Sequence, residues 1–162
     1  MTNKSRSVVV PYENLVIWHL EHGADPNIPS YRGYTPLDSA PLTSSLNTVK
    51  ALISHGADLQ KTRALITAAE SYNVNPAPVE IMALLLDHGV DIDRVEIMYD
   101  PFDATVFAGT ALHRAVEKQD AERVRFLLWR GANRHVKGFK GLMALEAAEA
   151  RGLRDMVDIL RK

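Results

Sequence analysis

Apolar residues recur along this chain in clusters whose members stand three and four positions apart. Val16 with Leu20, Val49 with Leu52 and Ile53, Met82 with Leu85 and Leu86, and Val124 with Leu127 and Leu128 form four such clusters. That spacing lays one apolar stripe along a helix. Each stripe is closed by a glycine, at 23, 56, 89 and 131, and the anchoring positions fall seven and three residues before it every time. A glycine just past a stripe suits the left-handed conformation that helix ends often need. The pattern therefore predicts four helices in one register, the first over about 12–22. One member breaks the register: His19 stands where Leu52, Leu85 and Leu127 stand elsewhere.

The glycines are separated by 33, 33 and 42 residues, and the words around them repeat as His-Gly-Ala-Asp at 22–25 and 55–58 and His-Gly-Val-Asp at 88–91. A second landmark shares the frame Thr-x-Leu-x-x-Ala: TPLDSA at 35–40 and TALHRA at 110–115, with weaker versions in RALITAA at 63–69 and MALEAA at 143–148. Thr35 is a good N-cap, and Pro36 is preorganised for the first helical position. Small residues follow, among them Ala40, Ala68, Ala115 and Ala148, which let a neighbouring helix approach closely. Each unit thus reads as a capped short helix, a turn, a second apolar helix, a glycine and a polar loop.

This organisation resembles the ankyrin repeat over nearly the whole chain. The resemblance implies an all-α solenoid of about 4.5 stacked helix-turn-helix repeats, with finger loops, some of them hairpins, beside a concave groove. One domain over 1–162 is expected, divided into a degenerate N-cap unit at 1–29, units at 30–60, 61–92 and 93–136, and a C-cap at 137–162. Arg161 takes the place that an apolar residue holds elsewhere, as suits a terminal repeat with a polar outer face. The degenerate first unit fits either an authentic atypical cap or a piece of a longer array.

Departures from the register mark irregular places. Pro41 lies inside the first helix of its unit, where it removes a backbone bond to Leu37 and is expected to shorten or kink that helix, with 43–45 as a loop. Five extra residues around 71–78, with Pro76 and Pro78, predict a non-helical connection. The finger between Gly56 and Leu65 is nearly deleted. The next, at 94–109, is nine residues longer than the usual finger.

The repeated His and Asp could in principle ligate a metal. Ligands must converge on one ion at about 2.0–2.2 Å, whereas stacked helices lie roughly 8–10 Å apart. His22, His55 and His88 therefore form a ladder with a structural role, and Asp25, Asp58 and Asp91 read as loop-forming residues. No metal or other cofactor is expected. The chain has no cysteine, which removes disulfides and thiol chemistry and fits a reducing compartment, cytoplasmic or nuclear. A formal net charge of −1 over 162 residues argues against a nucleic-acid binder, and no stretch approaches the length of a membrane span.

No phosphate-binding loop, H-E-x-x-H or G-x-S-x-G sequence is present, so the motifs favour a role other than catalysis. The anomaly is the finger RVEIMYDPFDATVFAG at 94–109, unusually apolar for a loop of that length. Its side chains either fold down to fill space or stand exposed as anchors, since aromatics and Met concentrate at interface centres. The family resemblance then implies a protein-binding scaffold, engaged through its concave face and this finger. The expected partner-binding set is Ile97, Met98, Tyr99, Asp100, Phe102, Asp103, Phe107, Arg134 and Lys137. An alternative is a small-molecule or catalytic groove under the finger, with Tyr99, Phe102, Phe107, Asp103 and His113; another is a recognition fragment of a larger protein. Acids crowd 87–103 and bases 123–140, which either neutralise each other or orient a partner. Shortening the finger is expected to leave the protein folded.

Overall fold

A computed structural model describes residues 10–43, 45–71, 78–100 and 105–162. The first elements are α1 (Val10–Glu21), α2 (Pro36–Thr43), α3 (Leu46–Ser54), α4 (Ala64–Glu70) and α5 (Pro78–Asp87). A hairpin of β1 (Glu96–Asp100) and β2 (Thr105–Gly109) follows, then α6 (Ala111–Glu117), α7 (Ala121–Trp129), α8 (Ala144–Ala150) and α9 (Arg154–Arg161). A 3-10 turn at Phe139–Gly141 precedes α8. The architecture is all-α, built of helix pairs, with that hairpin as the one sheet among the described residues.

The chain divides into two compact units, Met1–Val90 and Asp91–Lys162. In the first, α2 packs on α3 and α4, α4 on α5, and α3 on α1 and α5. In the second, α6 packs on α7 and α8, and α9 on α7 and α8. The stripes read from the sequence are the cores: Val49, Leu52, Met82 and Leu85 in one unit, Val124 and Leu127 in the other, are all essentially inaccessible. So are Ala64, Ala68, Ala115, Ala144 and Ala148, which confirms why small residues sit on the short helices.

Each long helix ends by the same device. Gly23, Gly56, Gly89 and Gly131 adopt φ between 84° and 91°, and the next residue's N–H returns to a carbonyl of the last turn, as in Ala57 to Leu52 at 3.0 Å. The histidines complete it. The Nδ1 atoms of His22, His55 and His88 lie 2.7, 2.8 and 2.8 Å from the carbonyls of Trp18, Ala51 and Leu84, four residues back. The aspartates then shape the loop: Asp25, Asp58 and Asp91 accept from the backbone N–H two residues on. His19 is exposed, with its ring edge-on to Trp18.

Three local expectations need correction. Pro41 does not shorten its helix: α2 runs on to Thr43 and at eight residues is slightly longer than α4, α6 or α8. Hydroxyls bond along it, Ser39 to the Thr35 carbonyl and Thr43 to the Ser39 carbonyl. Thr43 is therefore helical, and Ser45 is the N-cap of α3 rather than mid-loop. Pro78 opens α5, where a missing N–H costs no helical bond, so it belongs to the helix and not to a connection; residues 72–77 lie outside the described set.

Candidate functional site

The long finger is a β-hairpin. Glu96 pairs with Gly109, Ile97 with Ala108, Met98 with Phe107, Tyr99 with Val106 and Asp100 with Thr105, in one unbroken antiparallel register. Side chains alternate across a strand, so the hairpin has two unlike faces. Glu96, Met98, Phe107 and Gly109 belong to one. Glu96 and Met98 are buried there, and the Arg114 guanidinium of α6 lies 4.2 Å from the centre of the Phe107 ring. Arg94 pairs with Glu96 at the base of the hairpin. Ile97 and Val106 belong to the opposite face and are 69% and 44% exposed, with Val95 beside them at 45%.

Two glycines seat the hairpin on its unit. A Cβ at Gly109 would come within 2.9 Å of the His113 side chain. A Cβ at Gly138 would come within 2.7 Å of the Ala108 carbonyl and 2.9 Å of the His113 ring. The strand, the ring of His113 and the loop at 138 are thus in direct contact, and only residues without a side chain fit between them.

His113 itself is buried and fully engaged. Its Nδ1 accepts from the Thr110 N–H at 3.3 Å, and its Nε2 lies 3.2 Å from the Leu142 carbonyl, which makes Nε2 the protonated nitrogen of a neutral ring. Burial pushes its pKa below the usual 6.5, with the Leu142 carbonyl pulling partly the other way. The residues at equivalent places in other repeats behave alike. Asp38 accepts from the Thr35 N–H at 2.9 Å, and Glu146 from the Met143 N–H at 2.8 Å. Each turns back on the N-terminus of its own helix, Asp38 in a full capping box with Thr35 and Glu146 in the return half alone, since Met143 has no hydroxyl to complete it. In the remaining repeat this place holds Ile66, which cannot cap, and Arg63 at the N-cap makes no side-chain cap bond. Asp38 supplies the acceptor across the repeat boundary: its second oxygen takes the Thr62 hydroxyl at 2.8 Å and the Arg63 N–H. This double service of Asp38 was not read from the sequence; the Ile at 66 was its one signal.

The expected partner-binding residues therefore separate. Ile97 is exposed on the outer face, whereas Met98 is buried and serves the packing of the hairpin. Phe107 is half-buried against Arg114. Arg134 caps α9 through the Leu160 carbonyl at 3.1 Å, and Lys137 is exposed. Phe102 and Asp103 lie outside the described residues, as do the side chains of Tyr99 and Asp100. The alternative groove around His113 has neither a ring nitrogen without a partner nor space at the ring edge, because Gly138 presses on it. Sequence reasoning left open whether the finger folds down or stands exposed, and it missed the residues that clamp it, Gly109, Gly138 and Arg114.

A family model for ankyrin repeats, three copies, matches residues 8–96, and a model for a single ankyrin repeat matches 109–138. Among curated proteins, the B-cell lymphoma 3 protein homolog of Mus musculus is 29% identical over 158 residues, 95% of this chain and 34% of that protein. The chain thus spans about a third of the length of the relative it matches. Among solved structures, an ankyrin repeat domain from Acinetobacter baumannii AYE has a TM-score of 0.66 at 27% identity, covering 88% of this chain and 70% of that one. Ankyrin repeats are generally protein–protein interaction modules. Residues 97–108, most of the hairpin, fall between the two family matches.

Proposed function

The chain belongs to the ankyrin repeat family, and we propose that it is a protein-binding module that engages its partner through the 94–109 hairpin. One observation carries the reading. The hairpin lies between the two family matches, is fastened to its unit on one face, and presents Ile97 and Val106 on the other. An apolar strip held on a rigid support is what an interface centre requires, because little ordering is left to pay for on binding. Exposed Lys137 adds a rim charge from the next finger.

Affinity capture from native cell extract tests this, comparing the intact chain with a version in which 97–107 is replaced by a short Gly-containing turn. A protein held by the first and lost by the second is the expected result. Equal capture by both would move the interaction off the hairpin.

A further inference from the structure

The two strands of the hairpin are not equivalent. β2 lies against α6 and the 3-10 turn at 139–141, while β1 packs on β2 alone among the elements it closely meets. The sheet has two strands, so β1 is its outer edge. Alternate residues of an edge strand direct N–H and C=O groups outward, where another strand can join them. Edge strands are commonly blunted by lysine, proline or a bulge. β1 reads Glu-Ile-Met-Tyr-Asp and pairs over all five positions without a bulge, so its guards are the acids Glu96 and Asp100 at its two ends, which repel a like-charged strand and not a basic one.

Charge decides what would join it. Residues 91–109 hold five acids (Asp91, Asp93, Glu96, Asp100 and Asp103) and one base, Arg94, a formal −4. Two of the acids precede β1 and two stand at or beyond its end, with Ile97 exposed between them. A second copy of the chain laid along β1 would bring these like charges together, which is unfavourable between paired strands. A segment with basic residues flanking an apolar, β-branched middle would meet attraction at both ends. We propose that β1 is a docking strand for an extended, Lys- or Arg-rich segment of another protein, which adds to the hairpin as a third strand. This rests on the reading of the hairpin as the binding element and adds the mode and the chemistry of the partner.

The test uses the full chain and a labelled synthetic peptide, Lys-Lys-Thr-Val-Thr-Val-Lys-Lys. Two further peptides of the same composition and charge carry backbone N-methyl groups on one alternate set of residues or on the other. A strand pairs through one edge only. One N-methylated isomer should therefore lose about tenfold or more in affinity, as expected for two lost hydrogen bonds, while the other binds like the parent. Ile97→Lys, at a side chain that stands in solvent, should abolish binding with the thermal midpoint unchanged, and the bound peptide should slow hydrogen exchange at β1 amides.

Equal binding of both isomers would overturn strand addition in favour of simple charge attraction. Failure of the parent peptide to bind at low salt would overturn the basic chemistry. A chain that sediments as a dimer, and becomes monomeric with Ile97→Lys, would assign the edge to a second copy instead. In each case the capture experiment with the 97–107 replacement still reports separately on whether the hairpin is the binding element.

Discussion

His113 and Asp38 occupy the same place in their repeats and solve the same problem with different chemistry. Each closes the N-terminus of its own helix and then reaches into the following repeat, His113 to the Leu142 carbonyl and Asp38 to Thr62 and Arg63. For His113 the cost is a buried ring that must stay neutral. Its folded pKa lies below the unfolded 6.5, so the unfolded chain takes up the proton first as pH falls. The stability this residue contributes is complete above pH 6.5 and is lost as pH falls from there through the folded pKa. The gap in thermal midpoint between the native chain and His113→Gln should therefore be widest at pH 7.5 and shrink towards pH 5; a gap that grows on acidification would refute the neutral assignment. For Asp38, replacement by Asn leaves one oxygen to serve three donors on two helices. Asp38→Asn should cost roughly 2 kcal/mol, seen as a fall of about 4–8 °C in thermal midpoint.

At the scale of elements the hairpin depends on what lies beneath it. Gly138→Ala would place a methyl group within 2.7 Å of the Ala108 carbonyl, against backbone that cannot swing away. That variant should speed hydrogen exchange at 96–109 while leaving α7 and α9 protected, and slow exchange retained in the hairpin would mean the loop at 138 yields instead. Met98→Ala tests the same seat from the strand side. It removes a buried side chain from the edge of its unit rather than its centre, so a loss of about 2 kcal/mol is expected, the low end for such truncations, measured by urea denaturation. The helices of this fold were legible in the sequence because a stripe, a cap and a glycine are local signals. So was the ladder of His and Asp, since its partners lie within four residues. The seating of the finger was not. Its contacts join Phe107, Ala108 and Gly109 to Arg114, Gly138 and His113, and neither alternation nor apolar content says which face of a hairpin turns inward. Pro41 misled for a related reason: propensity argues for a break, but tertiary packing and the hydroxyls of Ser39 and Thr43 carry α2 through it.

For the molecule as a whole, the bonds between repeats set how far a local change travels. In the first unit, the Thr67 hydroxyl donates to the Asp38 carbonyl at 2.8 Å, the Ser71 hydroxyl to the Pro41 carbonyl at 2.9 Å, and the Asp58 N–H to the Asn27 side chain at 2.7 Å. In the second, the Asn133 N–H donates to Asp93 at 2.8 Å and His113 meets Leu142. Each of these links a repeat to its neighbour only, the condition under which stability is a sum of local terms and nearest-neighbour interfaces. Unfolding then proceeds by parts, with each part opening at its own free energy. Asp38→Asn should raise hydrogen exchange chiefly across α2 to α4, and His113→Gln chiefly across the hairpin, α6 and the start of α8. The double variant should show both patterns added, because the two sites share no partner. Exchange that rises evenly over all 162 residues in either single variant would instead mean that the chain unfolds as one cooperative body, and that its interfaces dominate the stability of its repeats.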